Sequence, residues 1–308
     1  MGLRTRAVRH CLAAVALVLL VCAAVATFSA LTLASARAEL APLTARDQAR
    51  VASVDHDANT ATVTWTRSAA PPARATVLLD ATPPPVGATV PVGYDPWRPS
   101  HAVIPGAAVL IAADRSSGEL LFIAITAAVM LIVTAVRLLS RLRLTRRPQV
   151  RVPLRRVRIQ SGLLARSWLE TEDIPRRWIP VYFDPVLITL PTPTTVALFG
   201  DPRRSRLVAA VIDGAVLYPS GRVLKDDPRG RRVDNPSEID DSVRARAITT
   251  TTWLHQLRAD AVLIVPAPLI GLLWAFLDGG GVWSWLGATV ITAALALWLA
   301  ALRGSDPS

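Results

Sequence analysis

Four long apolar runs divide the chain, and the polar stretches between them alternate with period two. Cys11 to Leu33 carries no charge, Leu120 to Val136 is closed by Arg137, and Val262–Leu277 and Val282–Leu302 are separated by Asp278-Gly279-Gly280-Gly281. An apolar helix of about 20 residues crosses a ~30 Å hydrocarbon core, so each run is read as a membrane span. In the first loop, Val51 to Val54, Ala61 to Thr66, Ala73 to Asp80 and Ala88 to Tyr94 read as four strands. In the second, Arg177 to Phe183, Val186 to Pro191, Thr194 to Gly200 and Arg206 to Lys225 do the same. Asp213-Gly214 within the last of these predicts a two-residue type I′ hairpin. Ser237 is placed to cap a helix over 237–260, with Asp240 at its third position and Val243, Ile248 and Trp253 turned toward the third span. Pro266 and Pro268 each remove a helix N–H and predict a kink there.

The fold class read from this pattern is an α+β membrane protein with four transmembrane helices. Two small antiparallel β domains, barrel- or sandwich-like, lie one on each side of the membrane. The order is a cytoplasmic start (1–10), a span (11–33), an extracytoplasmic β domain (34–119) and a second span (120–140). A cytoplasmic β domain with a basic juxtamembrane segment follows (141–236), then the amphipathic helix (237–260), two spans (262–277 and 282–302) and a cytoplasmic tail (303–308).

Charge orients this arrangement. The chain of 308 residues is 52% apolar with a formal net charge of +11, too hydrophobic for an ordinary soluble enzyme. Residues 34–119 hold seven Arg against eight acids, whereas residues 141–258 hold 22 Arg or Lys against twelve. Cationic flanks stay cytoplasmic, which places the second loop and both termini inside and the first loop outside. Arg141, Arg143, Arg146, Arg147, Arg151, Arg155, Arg156 and Arg158 follow the second span with no acid among them. They read as a lipid-facing patch for anionic headgroups. No aromatic interleaving accompanies them, so nucleic acid is not expected as a partner.

Cys11 and Cys22, the two cysteines, both fall in the first apolar run, so neither loop carries a disulfide or a thiolate metal site. Ala36-Arg37-Ala38 has the form of a signal-peptidase site, but the run before it is longer than an ordinary signal core, and an uncleaved anchor is expected.

One heptad-length pattern occurs twice: Val90-Pro91-Val92-Gly93-Tyr94-Asp95-Pro96 and Ile179-Pro180-Val181-Tyr182-Phe183-Asp184-Pro185. A proline forces the residue before it to be extended, so Asp95 and Asp184 end strands and their carboxylates can close Asx turns. Tyr94 and Phe183 are expected to pack on their cores and Trp97 to cover the first turn. Tyr94, Trp97 and Arg98 are also the candidates for partner recognition. Internal duplication, chance and shared turn physics are the alternative origins of the match.

Val90 to Pro99, V-P-V-G-Y-D-P-W-R-P, following Val-rich strands between two spans, resembles a bacterial membrane-protein family of unknown function. Its members carry a small extracytoplasmic β domain ending in Y-D-P-x-x-P. The likeness covers about residues 45–106 and the flanking spans. The glycine-rich apolar stretch usual before the motif is reduced to Val86-Gly87. It implies architecture and no chemistry.

Catalytic and cofactor motifs are not found. Asp55-x-Asp57-x-Asn59 opens like a calcium loop, but Thr60 and Thr66 stand where glycine and a bidentate Glu are needed. The four histidines have no ligand-like spacing, and there is no phosphate loop, nucleophile elbow or dinucleotide fingerprint. The leading expectation is a non-enzymatic envelope scaffold or accessory subunit with a protein partner and no cofactor. A transporter or channel component lined by the kinked span is the alternative, and a membrane-bound enzyme the third.

Overall fold

The computed structural model describes residues 5–67, 70–235, 241–242, 245, 247 and 252–308. Contacts divide it into two units: Ala23–Thr126, and Met1–Cys22 with Ala127–Ser308. Helices α1 (Arg6–Leu40) and α2 (Ala108–Leu142) each run from one unit into the other.

The first unit is built on a five-stranded antiparallel sheet. Strands β1 (Ala45–Asp55), β2 (Thr60–Arg67), β3 (Ala70–Leu78), β4 (Thr89–Tyr94) and β5 (Ala102–Val103) lie in the order β3-β2-β1-β4-β5. The four strands expected here are present, and β5 is an addition too short to leave a pattern. Asn59 at φ 51° turns the β1–β2 hairpin, where Asp55 Oδ1 accepts from the N–H groups of Asp57 and Ala58. The sheet curls until its ends meet: Leu79 bridges Ala107, and the N–H of Asp80 donates to the carbonyl of Gly106 at 3.0 Å. Ala49, Val51, Ala61, Val63, Trp65, Val92 and Ile104 fill the interior. Burying each larger apolar side chain contributes about 1.5–3 kcal/mol.

In the second unit β6 (Gln149–Ser161), β7 (Leu164–Thr171), β8 (Trp178–Val181), β9 (Thr194–Phe199), β10 (Ala209–Ile212), β11 (Ala215–Leu217) and β12 (Arg231–Asp234) form a seven-stranded sheet. The path runs β11-β10-β9-β6-β7-β8, with β12 paired to β6. It closes on itself because the chain after β11 lies along β8, through bridges Val181–Pro219 and Trp178–Leu224. The β10–β11 turn has Asp213 at φ 47° and Gly214 at φ 76°, the two positive angles the sequence called for. The stretch expected as a strand over Val186–Pro191 instead starts with the 3-10 turn Pro185–Leu187. Its Leu187, Ile188 and Leu190 are apolar because they are buried, not because they are extended.

The longest strand of this sheet, β6, comes largely from the stretch read as a basic juxtamembrane run to Arg158, and β7 follows it where no strand was expected. Val152, Leu154 and Arg156 share one face of β6, while Val157 and Ile159 on the other face pack on Trp168 and Trp178.

Among the described residues three helices are long and apolar enough to cross a membrane: Arg6–Leu40, Ala108–Arg146 and Val282–Arg303. A fourth would need the pair Leu254–Ile264 and Ala267–Leu277, bent by 42° at the prolines, to act as one span. The helices here are α3 (Trp253–Ala261), α4 (Ala267–Leu277) and α5 (Val282–Arg303). Ser237, Asp240, Val243 and Ile248 of the expected amphipathic helix lie outside the described residues. Its described end is α3, capped by Thr252, whose hydroxyl oxygen accepts from His255 N–H. Helices α4 and α5 pack closely because Ala267, Gly271 and Ala275 present a small face at spacing four. A Cβ on Gly271 would stand 2.2 Å from Thr289 Oγ1 and 2.9 Å from Thr289 N.

Candidate functional site

The Asp-Pro turns have the local geometry their sequence implies. Asp95 Oδ1 accepts from the N–H of Trp97 at 2.9 Å, and Asp184 Oδ1 accepts from that of Val186 at 3.2 Å. Asp184 is extended, at φ −139° and ψ 142°, as the following Pro185 requires. Tyr94 packs beside Trp65 with ring centroids 5.2 Å apart, and Phe183 is buried. The settings differ: Asp95 follows β4, which pairs with β1 and β5, whereas Asp184 lies beyond β8 and opens a 3-10 turn.

Trp97 does not cover its turn. It is 93% exposed, while Asp95 beneath it is buried and also receives Arg98 Nε at 3.4 Å. The Trp97 N–H holds the Asp95 carboxyl below the usual carboxylate range, against a smaller opposing effect of burial; Arg98 adds to the lowering. Pro96 fixes the backbone between them. A charged, internally bonded carboxylate therefore stiffens a turn whose largest side chain faces outward.

The predicted basic patch is divided. Arg141 is buried and donates to the carbonyls of Pro219 and Arg137. Arg156, also buried, lies on the inward face of β6. Arg155 forms a fork with Glu172, whose carboxyl that hydrogen-bonded guanidinium holds low. Arg158 lies 4.0 Å from Asp306. Arg141, Arg155, Arg156 and Arg158 are therefore engaged by the protein, and Arg143, Arg146, Arg147 and Arg151 remain exposed. Period-two alternation over Val150 to Ile159 was the available signal, since successive side chains of a strand point to opposite faces and its arginines cannot all lie on one side.

Arg156 leads to a junction that sequence reasoning missed. Helix α5 ends at Gly304, φ 71°, in the left-handed conformation that suits a terminating glycine. The last carbonyls of a helix lack intrahelical partners, and here each finds one. Cys11 Sγ donates to Ala301 O at 3.5 Å, Arg137 Nη1 and Tyr182 Oη donate to Leu302 O at 2.8 and 3.1 Å, and Arg166 Nε donates to Arg303 O at 2.9 Å. Two of these donors are cationic, which also complements the negative end of the helix dipole.

Beyond Gly304 the chain continues along the end of β7. Ser305 bridges Arg166, and Asp306 N–H donates to Ala165 O at 2.9 Å. The Asp306 carboxylate is fully enclosed. Arg156 Nη2 reaches it at 2.8 Å and Ser167 Oγ at 2.5 Å, while Ser308 N–H and Oγ serve the other oxygen at 2.9 and 2.6 Å. Burial alone would push this carboxyl upward, but the Arg156 charge and the Ser167 and Ser308 hydrogen bonds hold it below its ordinary value. These bonds tie the tail to the sheet. Nearby, Gln256 Nε2 donates to Ser305 Oγ at 2.6 Å, and Asp260 meets His10 at 3.3 Å. Among the described residues no three His, Cys, Asp or Glu side chains converge as a metal would need.

No protein-family model, curated protein or solved structure matches this chain.

Proposed function

We propose that this chain is a non-enzymatic membrane-anchored interaction protein, a scaffold or accessory subunit of a bacterial envelope, that captures a protein partner through the Trp97 turn. The observation that carries this reading is the exposure of Trp97, 93%, on a turn pinned by a buried carboxylate. A large aromatic on a backbone that is already ordered is what a binding hot spot favours, and Arg98 beside it is the other favoured residue type. The charge asymmetry supports both termini and the second β domain on the cytoplasmic side, with the first β domain outside. The likeness of Val90–Pro99 to the Y-D-P-x-x-P membrane proteins supports the same arrangement. The 42° break at the prolines favours, as a second reading, a transporter component in which that pair lines a path.

A photo-crosslinking amino acid at position 97 of the full chain, in its native membrane, tests the capture surface. A discrete adduct is expected there and none from a probe at Asp47 on β1. Trp97→Ala should lose the adducted protein from co-purification without lowering the melting point. Retention of that protein, or a lowered melting point with no adduct, overturns the reading.

A further inference from the structure

We infer that the second β domain carries a composite surface for the headgroups of an anionic bilayer, assembled from two segments far apart in the chain. The inference rests on the membrane-anchored reading above. Arg143 and Arg146 lie in the 3-10 turn that directly continues α2, and Arg147 and Arg151 follow on the approach to β6 and within it. The β6–β9 ladder, with Gln149 opposite Phe199, brings a second arginine group beside them: Arg203, Arg204 and Arg206. Arg147 fastens the two segments, since its Nη1 donates to Leu207 O at 2.9 Å, and Gly200 N–H donates to Pro148 O at 3.0 Å.

All seven arginines are exposed. Against them stand Asp201, 3.8 Å from Arg204, and Asp173, 3.7 Å from Arg203. Among the described residues, Arg143, Arg146, Arg151 and Arg206 make no hydrogen bond or ion pair with a protein side chain, so their charge is available to a ligand. Arg203 also donates to the carbonyl of Ile174, whose apolar side chain is 87% exposed. Cations beside a protruding aliphatic residue suit a bilayer surface, where charge meets headgroups and the apolar tip meets the acyl boundary. A nucleic acid would call for aromatic or base-reading groups among the cations. The continuity of this surface with the end of α2 fixes where the headgroups would lie if α2 is a span.

The full chain in an uncharged detergent, titrated with a soluble short-chain phosphatidylglycerol and followed by native mass spectrometry, tests this. A basic residue at an anionic surface changes affinity by about fivefold, so Arg203→Gln/Arg204→Gln/Arg206→Gln should weaken binding on the order of 100-fold at low salt. Added salt should narrow the difference. Arg143→Gln/Arg146→Gln/Arg206→Gln, which breaks no side-chain pairing, should show the same loss and guards against a folding defect. Arg46→Gln/Arg50→Gln/Arg74→Gln, with the same charge change in the other unit, should bind as the parent does. Inorganic phosphate at equal concentration should not compete. Unchanged binding by the 203/204/206 variant, equal loss in the control, or displacement by phosphate each overturns the composite surface. Failure of the anchored reading itself would be seen separately, as release of the parent chain from membranes by alkaline carbonate.

Discussion

Removing the Asp306 carboxylate should open the end of the second β domain. Its side chain is 0% exposed and that of Arg156 is 4%, so Asp306→Ala leaves a guanidinium buried without its counter-charge. Breaking one side of a buried ion pair costs about 3–5 kcal/mol. Asn235 Oδ1 at 2.9 Å, Ser308 Oγ at 2.8 Å and Ser167 Oγ at 3.4 Å still face Arg156, which favours the lower end of that range. About 3 kcal/mol corresponds to a little over 100-fold in the local opening equilibrium, since every 1.4 kcal/mol is about tenfold. Amide exchange of Ala165 to Ser167 and of Ser305, Asp306 and Ser308 in the detergent-solubilised chain should rise by that factor. The double change Arg156→Leu/Asp306→Leu should restore most of the protection, because a well-packed apolar pair can replace a buried ionic one. The pH dependence has a defined sign. The folded carboxyl lies below its unfolded value of about 3.9, so its contribution is complete above that pH and is lost as pH falls through the lower folded value. Exchange in Asp306→Ala within threefold of the parent, or no recovery in the double variant, would refute the anchoring role.

Gly271→Leu should separate α4 from α5, since even a Cβ at that position meets Thr289 backbone at 2.9 Å; a distance measured between spin labels on the two helices should lengthen. Asp95→Asn should leave Trp97 as rigid as in the parent, because the amide oxygen still accepts the Trp97 N–H, whereas Asp95→Ala should free it; fluorescence anisotropy with the other tryptophans replaced reads the difference. Reporter fusions should place Ser100 outside and Gly200 inside, and an externally active reporter at Gly200 would overturn the proposed topology.

Much of the architecture was legible because its cause is local. Asp213-Gly214, the proline break before α4 and the two Asx turns each depend on residues a few positions apart, where φ preferences and short side chains decide. Val186 to Pro191 misled because apolarity reports burial, and a capped 3-10 turn buries Leu187 as completely as a strand would. The arginines of β6 misled differently. Their side chains alternate between the two faces of the strand, both of which bury residues, and the partner that makes Arg156 tolerable inside is 150 residues away. No spacing rule connects Arg156 to Asp306, since that pairing exists only once α5 has brought the tail to β7. Gly304 after Arg303 did mark the helix end, but nothing local said where the chain went next.

The tail's seat on β7 makes the second β domain a late product of biosynthesis. Strands β6 to β12 leave the ribosome before α4 and α5, yet Arg156 and the open end of β7 wait for Asp306 and Ser305, which follow α5. Until then the nascent domain holds an uncompensated guanidinium, a strong bias toward the open form. Closure therefore reports that α4 and α5 have been made and that α5 has brought its end back to the domain. A chain stalled before the end of α5 would keep an exposed strand edge, the kind of surface that invites aggregation and proteolysis.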